Sequence, residues 1–143
     1  MLIIDAFPFF NELDVLEFRL TELNDYVDYF ILVESTKTFS NKDKILYFNE
    51  NKERYTKFLD KIIHVIVTDN PTDCDAWSIE KFQRDCLVRG FKKIPNLKES
   101  DIIISTDCDE VISTHILKKI RNNEIIIDKP HRLYMHLYKF LIK

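Results

Sequence analysis

Short apolar runs alternate with amphipathic stretches along most of the chain. Leu2-Ile3-Ile4 is an apolar run ending at Asp5, and Tyr29-Phe30-Ile31-Leu32-Val33 is a longer one ending at Glu34. Ile62-Ile63-His64-Val65-Ile66-Val67 and Ile102-Ile103-Ile104 repeat the pattern. Continuous β-branched runs of this kind predict strands buried on both faces. Between them the spacing turns helical. Leu13, Leu16, Leu20 and Leu23 share one face, behind Asn11 as the expected N-cap and Asp14 in the first turn. A second helix is expected over 50–59, with Tyr55, Phe58 and Leu59 inward. A third is expected over 77–91, with Ile79, Phe82, Cys86 and Leu87 on one face and Gly90 near its end. A short helix follows Ser113 and runs to about Ile120. Pro8 predicts a loop straight after the first strand, and 35–42 and 68–75 read as polar loops. Residues 124–127 read as a fifth strand, and 131–142 form an apolar, aromatic tail.

Strands alternating with helices predict an α/β, Rossmann-type fold: a mostly parallel sheet with helices on both faces. In such a sheet, ligands sit beyond the carboxyl ends of the strands. Asp5, Glu34, Thr68-Asp69 and Asp107 to Glu110 all fall at expected strand ends. A rim of acids there suggests a cation site.

The length, 143 residues, fits a single domain over 1–143. With 45% apolar and 31% charged residues, disorder is excluded. The net charge of −3 argues against a broad nucleic-acid footprint. There is one glycine, Gly90, so no Gly-rich phosphate loop can be written. A phosphate-bearing ligand would need a metal or basic side chains instead. The three cysteines, Cys74, Cys86 and Cys108, include no C-x-x-C and read as unpaired thiols of a reducing compartment. No apolar run reaches the ~20 residues of a membrane span, and Met1 to Asp5 lacks the features of a signal peptide. A cytoplasmic location is expected. The abundance of Ile, Lys and Asn suggests an AT-rich genome, bacterial or viral.

The strongest local chemistry is Asp107-Cys108-Asp109-Glu110, just past an apolar strand. Two carboxylates two residues apart can reach the same side, and clustered carboxylates bind hard cations through oxygen. Mn²⁺ or Mg²⁺ held there can bridge the phosphates of a nucleoside diphosphate and neutralise it as a leaving group. A second D-x-D, Asp73-Cys74-Asp75, lies in a proline-containing loop and reads as a solvated turn or helix start. On the third helix Glu80, Gln83 and Arg84 share a face. Glu80–Arg84 is either a surface ion pair, or Arg84 turns to the acidic site and holds a diphosphate. Trp77 reads as a core or capping aromatic. Glu34 is either a solvated strand end or a receiver for a ribose or uracil group. The histidines lack zinc-helix spacing, and His64, inside a strand pattern, reads as structural. No G-x-S-x-G nucleophile elbow occurs.

Four blocks resemble glycosyltransferase family 17. They are Asp5-Ala6-Phe7-Pro8-Phe9-Phe10-Asn11-Glu12-Leu13-Asp14-Val15-Leu16-Glu17-Phe18-Arg19-Leu20, Val27 through Ser40, Glu80-Lys81-Phe82-Gln83-Arg84, and Asp101 through Glu110. They run in family order from Asp5 to about Ile112. The family includes β-1,4-mannosyl-glycoprotein 4-β-N-acetylglucosaminyltransferases, which add the bisecting GlcNAc to N-glycans. The resemblance implies a GT-A-like domain, a UDP-sugar donor such as UDP-GlcNAc, a glycan or glycoprotein acceptor, and Mn²⁺ on the D-x-D. By position, Asp107 and Asp109 become the metal residues, with Asp107 also at the donor. Glu34 falls near the nucleoside, and Gln83 and Arg84 near the donor phosphates. Asn41 stands where the family pattern has Gly, and no Pro follows Asp109-Glu110. No residue is assigned as the catalytic base. Family members continue past this point, so the chain reads as the donor half, with the aromatic tail as an interface left exposed. The competing readings are a non-catalytic nucleotide-sugar-binding remnant and a D-x-D phosphohydrolase. The latter normally carries its motif on the first strand. A receiver-like signalling domain shares the acidic strand ends but leaves Gln83-Arg84 unexplained.

Overall fold

The computed structural model describes residues 1–132. The elements are β1 (Ile3–Phe9), α1 (Leu13–Leu23), β2 (Tyr29–Ser35), α2 (Tyr47–Glu50), β3 (Ile62–Val67), α3 (Ala76–Asp85), α4 (Leu87–Phe91), β4 (Ile102–Ser105) and α5 (Thr114–Arg121). A 3-10 segment, Lys52–Phe58, lies between α2 and β3. Among the described residues the four strands form one all-parallel sheet in the order β3-β2-β1-β4. The expected Rossmann-like α/β architecture is therefore present, with helices on both faces.

Side-chain alternation divides the core into two layers. Ile3, Phe7 and Phe9 of β1, with Phe30 and Leu32 of β2, meet Leu16, Leu20 and Leu23 of α1, Tyr55 and Phe58 of the 3-10 segment, and Leu117 and Ile120 of α5. Ile4, Ala6, Ile31, Val33, Val65 and Val67 face the other way, against Cys86 and Leu87 at the α3–α4 junction. The strands are largely apolar on both faces because each face carries its own helical layer.

Several local expectations are corrected. Pro8 does not end β1, because the strand runs on to Phe9. The even-numbered carbonyls Leu2 and Ala6 accept from the β4 side. Pro8 faces that same side, and β1–β4 pairing has already stopped at Ala6↔Ser105. Its missing N–H therefore costs no ladder bond. Glu12, not Asn11, is the N-cap of α1, and its carboxylate accepts from the Phe10 and Asn11 N–H groups. The helix expected over 50–59 is α2 followed by the 3-10 turns, and Leu59 is exposed. The helix expected over 77–91 breaks at Cys86, where bonding shifts from Cys86 N–H to Phe82 O to the tighter Arg89 N–H to Cys86 O. Residues 124–127 form no strand. The tail from 133 to 142 lies outside the described residues.

Candidate functional site

The chain runs from β1 through β2 to β3 on one side, then returns to place β4 on the other side of β1. The β1/β4 boundary is the point where strand order reverses, the usual place for a ligand crevice in open α/β sheets. A cavity of about 230 Å³ opens at the carboxyl ends of these strands. Phe9, Phe10 and Glu12 after β1, Lys37 to Phe39 after β2, Glu80, Gln83 and Arg84 of α3, and Asp107 to Asp109 after β4 form its walls.

The residues singled out in the sequence divide into two groups. Gln83, Arg84, Asp107 and Asp109 line this one cavity. Arg84 Nη2 lies 2.8 Å from Asp107 Oδ1 and 3.3 Å from Glu80 Oε1, so the side chain pairs with Glu80 along α3 and also turns to the acidic loop after β4. Burial opposes the charge on Arg84, but the hydrogen bond and charge of Asp107, with Glu80, outweigh it and hold the guanidinium above its ordinary pKa. Gln83 is a buried wall. Its Nε2 donates to Lys37 O at 3.1 Å and to Asn70 Oδ1 at 2.8 Å, which ties the loop after β2 to α3. Asn70 also meets the Ser35 hydroxyl.

Glu34 lies apart from the cavity and is fully buried. Its Oε1 accepts the Phe48 N–H at 2.9 Å at the start of α2, and its Oε2 lies 3.0 Å from His64 Nε2. Amides at the start of α2, a largely buried imidazole and the Lys44 ammonium, 3.9 Å away, satisfy this carboxylate. Asp5 is not at a strand end either. It is buried mid-strand and makes a bidentate pair with Arg19, at 2.7 Å on both oxygens. Asp69, after β3, pairs with Arg89 at 2.7 Å and does not line the cavity, so of the expected rim only the loop after β4 reaches it. Asp75 caps α3 by accepting the Ser78 N–H at 2.8 Å. Trp77 is 78% exposed, so it is neither core nor cap. It stands on the first turn of α3, ahead of the first core residue, Ile79.

The sequence reading missed Glu12 and Glu80 as cavity carboxylates and Phe10 and Phe39 as its half-exposed aromatic walls. Glu12 follows β1 just as Asp107 follows β4, and that position was the available signal. Cys108, between the two aspartates, is buried, and burial pushes its thiol pKa up to about 12. It stays protonated at neutral pH and is no nucleophile.

The carboxylates Glu12, Glu80, Asp107 and Asp109 outnumber the cations Lys37 and Arg84 around the cavity. Local charge therefore favours a cation. The donor set is oxygen, which suits Mg²⁺ or Mn²⁺. Among the described residues no group of three His, Cys, Asp or Glu side chains converges as a complete metal cage. Asp107 and Asp109 are the adjacent carboxylates that such a cation would use. Among the described residues no helix is long and apolar enough to cross a membrane.

The family model for glycosyltransferase family 17 matches residues 2–143. The chain is also similar to the β-1,4-mannosyl-glycoprotein 4-β-N-acetylglucosaminyltransferases of Rattus norvegicus and Homo sapiens, 29% identical over 114 residues in each case. The Mus musculus enzyme of the same name is 28% identical over 114 residues. These matches cover 76% of this chain and 21% of each relative, so the chain spans about a fifth of their length. No solved structure matches it. With the matched model extending over nearly every residue, the chain belongs to glycosyltransferase family 17.

Proposed function

We propose that the chain forms the donor site of a glycosyltransferase that moves N-acetylglucosamine, or a closely related sugar, from UDP to a glycan or glycoprotein acceptor. The observation carrying this reading is the meeting of Arg84 with the Asp107–Asp109 loop in a cavity at the strand-order reversal. Family membership supplies the reaction class. A divalent cation, Mn²⁺ or Mg²⁺, would be held by Asp107 and Asp109 and would neutralise charge on the departing diphosphate.

The chain's own residues prepare the site. Arg84 presents a permanent cation whose planar fork suits phosphate oxygens. Its charge is balanced by Asp107 and Glu80. Gln83 fixes the wall formed by the loop after β2, against which the nucleotide would lie. Phe10 and Phe39 offer apolar faces to a base or sugar ring. Glu34 supports this reading only indirectly, by anchoring α2 from beneath.

Calorimetric titration of UDP-GlcNAc, with and without Mn²⁺, tests the proposal. Wild-type chain should bind in a metal-dependent way, and Asp109→Asn should lose that dependence while keeping its fold. Binding that survives in Asp109→Asn at wild-type strength removes the metal assignment. A folded wild-type chain that binds no UDP-GlcNAc removes the donor-site reading.

A further inference from the structure

Arg19 is the largest fully buried side chain in the molecule's described part, and it sits directly beneath the candidate site. Its Nε and Nη2 make the bidentate pair with Asp5, and its guanidinium stacks 4.4 Å from the centre of the Phe7 ring. The remaining donors all point at the loop after β4. Nη2 donates to Thr106 Oγ1 at 2.8 Å. Nη1 lies 2.7 Å from Asp107 O, 3.0 Å from Cys108 O and 3.0 Å from Glu110 O. The Thr106 hydroxyl in turn donates to Glu110 O at 3.0 Å, and the Glu110 N–H closes a turn onto Asp107 O at 3.0 Å.

Stability alone does not account for this arrangement. A buried ion pair can often be replaced by well-packed apolar residues without loss of stability. An apolar residue could fill the space of Arg19, but it could not satisfy three carbonyls that converge on one point. Those carbonyls turn inward because a cation waits for them. With the backbone oxygens drawn in and Cys108 buried, Asp107 and Asp109 are left on the cavity side. The donors of one guanidinium therefore tie down the backbone of the loop that carries both carboxylates.

We propose that Arg19, neutralised by Asp5 and linked through Thr106, is the positioning residue that holds Asp107 and Asp109 in register for a divalent cation and a nucleoside diphosphate. The inference rests on the reading of this loop as the donor site. Outer partners that orient metal-binding groups typically govern affinity without touching the ligand.

The test titrates UDP into the full chain with Mn²⁺ and again with EDTA, beside thermal unfolding of each variant. Thr106→Val keeps the side-chain volume and removes only the hydroxyl. It should lower Mn²⁺-dependent UDP affinity by about 10- to 100-fold. Thr106→Ser keeps the hydroxyl and should restore wild-type affinity. Arg19→Lys, which cannot serve Asp5 and the loop together, should fall at least as far as Thr106→Val. Where Arg19→Lys does not fold, the two Thr106 variants decide. Ile3→Val, a core change at the opposite end of β1, should lower the melting temperature without moving affinity. A Thr106→Val chain with wild-type affinity overturns the proposal. So does an Ile3→Val chain that loses affinity as much, because the effect would then follow stability alone. A wild-type chain that shows no Mn²⁺-dependent binding instead overturns the donor-site reading, and this inference with it.

Discussion

Gly90 lies on α4 where the helix crosses β2, and a Cβ there would stand 2.3 Å from Ile31 Cγ2. Its φ is not positive, so helix termination is not its role. Close packing is. Gly90→Ala should force α4 away from the sheet and destabilise the protein by about 1–3 kcal/mol, although alanine is the better helix former. A urea midpoint equal to wild type would show that the two elements separate freely. Asn41 has φ 60°, in the left-handed region, inside a tight loop closed by Thr38. Asn is among the few residues other than Gly that tolerate such a φ. Asn41→Ala should therefore cost about 1 kcal/mol, and Asn41→Gly should be close to neutral, both read from denaturant midpoints. An alanine variant as stable as wild type would mean that the loop re-forms with another φ. At both positions the residue type was visible in the sequence. Its reason depended on a neighbouring backbone or side chain in space.

Strand starts in this fold are fastened by carboxylates. Asp28 Oδ2 accepts the Ile3 N–H at 2.7 Å, and Asp101 Oδ1 accepts the Leu2 N–H at 2.7 Å. Asp101 Oδ2 also accepts the Lys98 N–H at 2.8 Å, so one side chain joins the approach to β4 with the approach to β1. The Leu2 and Lys98 amides hold the Asp101 carboxyl below its ordinary pKa of 3.8. A carboxyl whose pKa falls on folding stabilises the fold above the unfolded value and loses that contribution as pH falls through the folded value. The melting temperature should thus drop as pH falls below 3.8, and Asp101→Asn should flatten that drop. Parallel pH profiles for the two proteins would sink the assignment. The elements themselves were largely readable, because α1 and the strands are defined by periodicity within a few residues. Their boundaries were less so. β1 continues through Asp5 and Pro8 because a helix brings Arg19 to the first and β4 pairing stops short of the second.

At the scale of the whole molecule, the strand order β3-β2-β1-β4 places the loops after β1, β2 and β4 around one opening and seats α3 against it. That topology brings Arg84 to Asp107 and lets α1, from the opposite layer, support the same loop through Arg19. The sequence by itself determined the α/β class, the parallel sheet, the family blocks and the position of Asp107-Cys108-Asp109 after a buried strand. Each of these is a local pattern, set by hydrophobic period or by residues adjacent in the chain. Only the tertiary structure decided which acids face the cavity. Asp5 and Glu34 share the hallmark of Asp107, a carboxylate near the end of an apolar run. A buried guanidinium answers Asp5, while helix-start amides and an imidazole answer Glu34. The physical reason is distance along the chain. Arg19 meets Asp5 across 14 residues and Asp107 across 88, and no short-range pattern records which charge will stand beside which once the sheet has closed.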